Sequence, residues 1–315
     1  MGQNNGQKKK EILTSLIGDA TPAKASGLTY SLSSILSVVL AFLFMIIITV
    51  IGAAKEGYET TDWYLYFNYL LSPLAFALVA FLVFRWTKSP LKEELVSQKC
   101  AAKYFLIAIL LQCGLFCLSQ LNGLFLDWLS KFGYKDTPIR LPSMDGFGFV
   151  GVLIVVALLP AVFEEIIFRG LLLKGMRAFG IAGAILINGA LFALYHQNPA
   201  QTLYQFCCGA AFALVAIRSG SILPTVLSHF INNALILTLT KFEVESFPLP
   251  VLIVVLAVSV LCLISSMVWL IFFDRQPKAD GEKKDRAEQK RFWLYASVGI
   301  AFCALTWLGV LFMGL

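Results

Sequence analysis

Charge is scarce in this chain. Only 14% of its 315 residues are Asp, Glu, Lys or Arg, while 58% are hydrophobic, and the mean hydropathy is +0.78. Ordinary soluble domains carry roughly a quarter charged residues, so a soluble globular class is excluded. Histidine is nearly absent, with two in the whole chain. No two of the seven cysteines form a CxxC pair, and most lie inside apolar runs. They read as small core residues, not as a disulfide or metal framework. No apolar segment begins before about residue 28, so no cleaved signal peptide is expected. Gly6 stands where a myristoylation signal needs Ser or Thr, and the final "LFMGL" lacks a prenylation cysteine. The net charge of +6 resides in loops and tails, which leaves no expectation of a nucleic-acid partner. There is no internal repeat.

What remains is a series of long apolar runs. Several exceed the roughly 20 residues that cross a bilayer, and in lipid such runs must be helical, because unpaired backbone groups have no water to bond. The expected fold is therefore an all-α polytopic membrane protein of eight or nine transmembrane helices. Nine segments are read at about 28–53, 63–86, 104–126, 147–176, 180–197, 202–218, 222–240, 249–273 and 292–314. The fourth is either one long tilted helix or a helix broken near Pro160. Four units follow: a polar basic tail (1–27), N-terminal membrane helices (28–146), a central core (147–240) and C-terminal helices (241–315). The last unit holds a mixed-charge, solvated linker at 274–291. Lys and Arg concentrate in the tail, around 88–103, at the ends of the fourth and sixth segments, and in 274–291. With nine crossings these sites share one side, which predicts a cytoplasmic N-terminus and an external C-terminus. The tail and loops are prokaryotic in style, so a prokaryotic plasma membrane is the expected location.

Against this background "FEEIIFRG" (163–170) stands out. An ionisable residue inside a membrane helix points to function by default. Glu165 and Arg169 are i,i+4, share a helix face and can pair as a structural clamp. Glu164 lies about 100° around the helix and needs another partner. Both histidines, His196 in "FALYH" and His229 in "SHFINN", fall in apolar segments that follow. Asn233 shares the face of His229, and Phe192 that of His196, again at i,i+4. Helical rise places Glu164, His196, His229 and Asn233 between roughly 10 and 24 Å from their inner helix ends, compatible with one buried polar layer around a water-filled cavity.

One carboxylate, two histidines and an amide suit hydrolysis. A desolvated carboxylate can take a proton from water, a histidine can orient that water or protonate a leaving amine, and a second histidine with an amide can stabilise an oxyanion. The same Glu164, His196 and His229 could instead hold zinc with one open position. These residue patterns leave both mechanisms open. They also leave room for a proton-coupled transporter, although matched broken helices in two halves have only Pro160 and Pro224 as hints.

The order EExxxR, FxxxH, HxxxN, written here as "EEIIFR", "FALYH" and "HFINN", resembles the CPBP family of intramembrane proteases, which includes the type II CAAX prenyl endopeptidases and Abi-type proteins. The resemblance covers about 147–240 and implies a four-helix catalytic core. By that resemblance Glu164 is the water-activating base assisted by His196, and His229 with Asn233 forms the oxyanion site. Glu165, Arg169 and Phe192 support the structure. The implied substrates are membrane-embedded or lipidated peptides. The preferred mechanism requires no cofactor, with zinc as the rival. A catalytically idle scaffold or immunity protein is the remaining alternative. HExxH, GxGD and the glycine pattern of a rhomboid are all absent, which sets aside those intramembrane protease chemistries.

Overall fold

The computed structural model describes residues 20–88, 100–136, 139–244, 246–274 and 284–315. It is 83% helical, with no strands among the described residues. The helices are α1 (Pro22–Val50), α2 (Asp62–Thr87), α3 (Lys103–Leu115), α4 (Leu118–Ser130), α5 (148–176), α6 (Gly180–Tyr195), α7 (Thr202–Ser219), α8 (Leu223–Lys241), α9 (Leu249–Val268) and α10 (Arg286–Gly314). Among the described residues eight helical stretches are long and apolar enough to cross a membrane, with 148–195 counted as one. Large side chains such as Phe42, Ile46, Leu261 and Phe312 are exposed on the outer faces of α1, α9 and α10. Apolar exteriors of that extent suit lipid, not water. This is an integral membrane protein.

The stretch 148–195 would be about 72 Å long as one straight helix, far more than a bilayer needs. It folds back at a 3₁₀ turn, Arg177–Phe179, followed by Gly180 at φ 76°. Only glycine takes that left-handed conformation without strain. The rings of Phe168 and Phe192 meet at 5.0 Å, and Asn188 Nδ2 donates to the Phe168 carbonyl at 2.8 Å, so α6 returns along α5.

Within α5 the chain does not break at Pro160. A π-helical turn, Leu153–Leu158, immediately precedes the α-helical piece Leu159–Glu165. Proline cannot donate to the ladder, and the wider turn accommodates the missing bond without a kink into two helices. A second π-helical turn, Ile166–Leu172, follows the glutamate pair at once.

α5, α6, α7 and α8 form the central bundle. α6 and α7 approach closely at Gly189 and Gly209: a Cβ on Gly209 would sit 2.9 Å from the Gly189 Cα. Such small-residue seams let membrane helices pack by backbone contact. α1 lies on α5, where Ser26 Oγ donates to the Leu171 carbonyl at 2.8 Å and accepts from Gly175 N at 3.0 Å. α10 lies on α1, joined through Ser31 Oγ to the Tyr295 carbonyl.

Three boundaries differ from the sequence reading. α1 starts at Pro22, not 28, because Thr21 caps it and its first turns bury polar Ser26, Thr29 and Ser31 beside the small Ala23 and Ala25, a mixture that hydropathy does not mark. The linker at 274–291 is not solvated at its start: Asp274 is buried, accepting from Tyr104 Oη at 2.8 Å and Lys103 Nζ at 3.3 Å. At its other end Asp285 caps α10, which therefore begins at Arg286. Residues 275–283 of the linker, and 1–19 of the tail, lie outside the described residues.

Candidate active site

Glu164 and Glu165 close the α-helical piece of α5, so they diverge by one helical step. The Glu165 side chain is fully buried, and that of Glu164 is 12% exposed. Glu165 Oε1 accepts from Arg169 Nη1 at 2.7 Å. The guanidinium also donates through Nη2 to the Gly209 carbonyl at 3.0 Å and lies over the rings of Phe192 (4.5 Å) and Phe212 (5.3 Å). A planar, weakly hydrated cation suits such an aromatic, bidentate setting. Arg169 thus ties α5 to α7.

Glu165 has a second partner that helical spacing could not announce. The same Oε1 lies 3.0 Å from His229 Nδ1 on α8. A carboxylate only accepts, so Nδ1 carries a proton directed at Glu165. The other ring nitrogen, Nε2, lies 3.8 Å from Glu164 Oε2. His229 therefore stands between the two glutamates. The Oε2 atom of Glu164 is buried and makes no hydrogen bond within the protein.

His196 follows the last residue of α6. Its Nδ1 donates to the Phe192 carbonyl at 2.8 Å, which leaves Nε2 outward as the acceptor of the neutral ring. The chain reverses immediately afterwards, with Gln197 at φ 52°. The Phe192 ring meets His196 at 4.8 Å and His229 at 5.9 Å, both edge-on. Phe192 therefore separates and orients the two imidazoles while covering Arg169.

A cavity of about 590 Å³ is lined by Glu164, His196, His229 and Asn233 together. Glu165, Arg169 and Phe192 lie behind its wall. Sequence reasoning missed part of the lining: Ser72 on α2, Gln112 on α3, Tyr204 on α7 and Asn232 on α8. Gln112 and Asn232 had a visible signal, an amide inside an apolar run. Tyr204 had none. The loop after α4 also contributes, through Ile139 and Leu141.

The zinc set Glu164, His196 and His229 is not assembled in this arrangement. Among the described residues no three His, Cys, Asp or Glu side chains converge at ligand spacing. His229 Nδ1 and His196 Nδ1 are engaged with Glu165 and Phe192, which leaves the Nε2 atom of each ring as its available nitrogen. No step below is routed through a metal.

Comparison with known proteins adds one finding. Residues 146–235 match the family model described as Rce1-like, type II CAAX prenyl endopeptidase Rce1-like. The match spans the segment that carries all four cavity residues named from the motifs, and it is consistent with the CPBP family. No curated protein and no solved structure matched the chain.

Proposed function

Starting from residues 146–235 as an Rce1-like protease segment, we propose that the protein is an intramembrane endopeptidase whose base is Glu164. The observation that carries this reading is the buried, unbonded Glu164 Oε2 facing His229 Nε2 at 3.8 Å across a cavity that also holds His196 and Asn233. A buried carboxylate oxygen without a partner is costly, and a catalytic water would satisfy it.

Water bound to Glu164 gives up one proton to the carboxylate as its oxygen adds to the substrate carbonyl carbon. The resulting oxyanion accepts hydrogen bonds from His229 Nε2 and Asn233 Nδ2. For His229 to donate from Nε2 while Nδ1 donates to Glu165, its ring must hold both protons; Glu165 then faces two cations, Arg169 and His229, and the second negative charge is the Glu164 carboxylate before proton transfer and the oxyanion after it. On collapse the C–N bond breaks. The proton held by Glu164 passes, with His196 Nε2 as relay, to the leaving nitrogen, so the products are an acid and an amine.

The substrate proposed is a membrane-embedded or lipidated peptide reaching the cavity from the bilayer. The protein is placed in a prokaryotic plasma membrane with its N-terminus cytoplasmic and its C-terminus outside, an arrangement that reporter fusions at each terminus test. The decisive experiment uses purified protein in vesicles. Glu164→Gln and His196→Gln should each abolish cleavage of membrane peptides while leaving the protein folded. Wild-type cleavage by either variant refutes the assignment, and an inactive wild type supports an idle scaffold instead.

A further inference from the structure

Four polar side chains form a chain of hydrogen bonds along the cavity wall that ends on Asn233. Ser228 Oγ lies 3.1 Å from Gln112 Oε1 and 3.2 Å from the Ala108 carbonyl. Gln112 Nε2 donates to Asn232 Oδ1 at 2.8 Å. Tyr204 Oη donates to the same Oδ1 at 2.7 Å. Asn232 Nδ2 then donates to Asn233 Oδ1 at 3.2 Å.

The direction of this chain has a consequence. An amide has one oxygen and one nitrogen, and which way each faces is set by its neighbours. With two donors from α3 and α7 on its oxygen, Asn232 must present its NH2 group to Asn233. That occupies the Asn233 oxygen, and the donor end of Asn233 is left for the cavity it lines. Asn232 is itself 6% exposed and Gln112 3% exposed, so little of either side chain is open to water. A buried, fully directional network of this kind specifies one arrangement more strongly than isolated bonds do.

We propose that Asn232, held by Gln112 and Tyr204, is a positioning residue that turns the amide NH2 of Asn233 toward the scissile carbonyl. This rests on the endopeptidase reading above and adds α3 and α7 to the machinery that α5, α6 and α8 supply. An unanchored Asn233 could flip, and its oxygen would then repel the oxyanion it is meant to stabilise.

The test uses full-length protein in phosphatidylcholine–phosphatidylglycerol vesicles with an internally quenched apolar peptide as probe. Asn232→Asp keeps an acceptor for Gln112 and Tyr204 but offers no donor to Asn233. Removing one oxyanion donor costs about 10²–10³ in kcat, so Asn232→Asp should lower kcat about ten- to a hundredfold while KM stays within about twofold. Tyr204→Phe, which retains the ring, should give a smaller fall of the same kind. In an Asn233→Ala background Asn232→Asp should add nothing, since both changes remove one interaction. An equal fall in kcat in both backgrounds, or unchanged kcat in the single variant, overturns the proposal.

A second readout separates this idea from the reading it rests on. With 15N-labelled asparagine, the side-chain resonance of Asn233, identified by its loss in Asn233→Ala, should shift in both Asn232→Asp and Tyr204→Phe. If Asn233→Ala cleaves normally, the oxyanion role fails while a shifted resonance still supports the relay. An unmoved resonance overturns the relay whatever the cleavage rate.

Discussion

Arg169→Met is the most informative perturbation of the supporting structure. The Arg169 and Glu165 side chains are both fully buried and 2.7 Å apart. Breaking a buried pair by removing one partner costs about 3–5 kcal/mol, because the other charge is left uncompensated. Here His229 Nδ1 remains on Glu165 at 3.0 Å, which offsets part of the loss. Methionine fills most of the arginine volume, so no large cavity term is added. The expected cost is therefore about 3 kcal/mol, the low end of that range, or roughly a hundredfold in the folded-to-unfolded ratio. The assay is reversible unfolding in mixed micelles, followed by tryptophan fluorescence. Adding Glu165→Gln should recover stability, since the pair is then neutral and a buried ion pair contributes little beyond its own compensation. A single variant that loses less than about 1 kcal/mol, as an exposed pair would, refutes the reasoning. A double variant less stable than the single one does so equally.

Three further outcomes follow from the same geometry. Gly209→Ala would place a Cβ 2.9 Å from the Gly189 Cα and 3.0 Å from the Phe192 Cβ. Overpacking of this kind costs about 1–3 kcal/mol, and because Phe192 orients both imidazoles, cleavage should fall further than thermal stability does. Glu165→Gln alone leaves the buried Arg169 charge without its carboxylate and should cost about 3–5 kcal/mol of stability; at fixed folded fraction, cleavage rates in vesicles should also fall, because the negative charge 3.0 Å from His229 Nδ1 is gone. Elemental analysis of active protein, paired with chelator treatment, should show activity persisting without stoichiometric zinc. Loss of cleavage on chelation with recovery on zinc addition would instead establish the ligand set Glu164, His196 and His229.

How much of this was legible beforehand depended on the range of the interactions. Hydropathy alone determines that long segments span the bilayer as helices, because lipid leaves the backbone no other way to pair its polar groups. Glu164, His196 and His229 were conspicuous because charge and imidazole are costly in apolar runs, and Asn233 because it stands i,i+4 from His229. Spacing within one helix correctly paired Glu165 with Arg169, since i,i+4 is a local relation.

Relations between helices carry no such periodicity. That His229 sits between Glu164 and Glu165 depends on the rotation of α8 against α5. The two helices pack through Val152 and Ala157 of α5 against Leu237, Phe230 and Ala234 of α8, beside the π-helical turns that flank the glutamates. The anchoring of Asn232 by Gln112 and Tyr204 needs three helices to converge. Burial makes polar residues conspicuous one at a time in sequence, but only the packed bundle chooses their partners, because a hydrogen bond is set within a few tenths of an ångström and a helix face only within a turn.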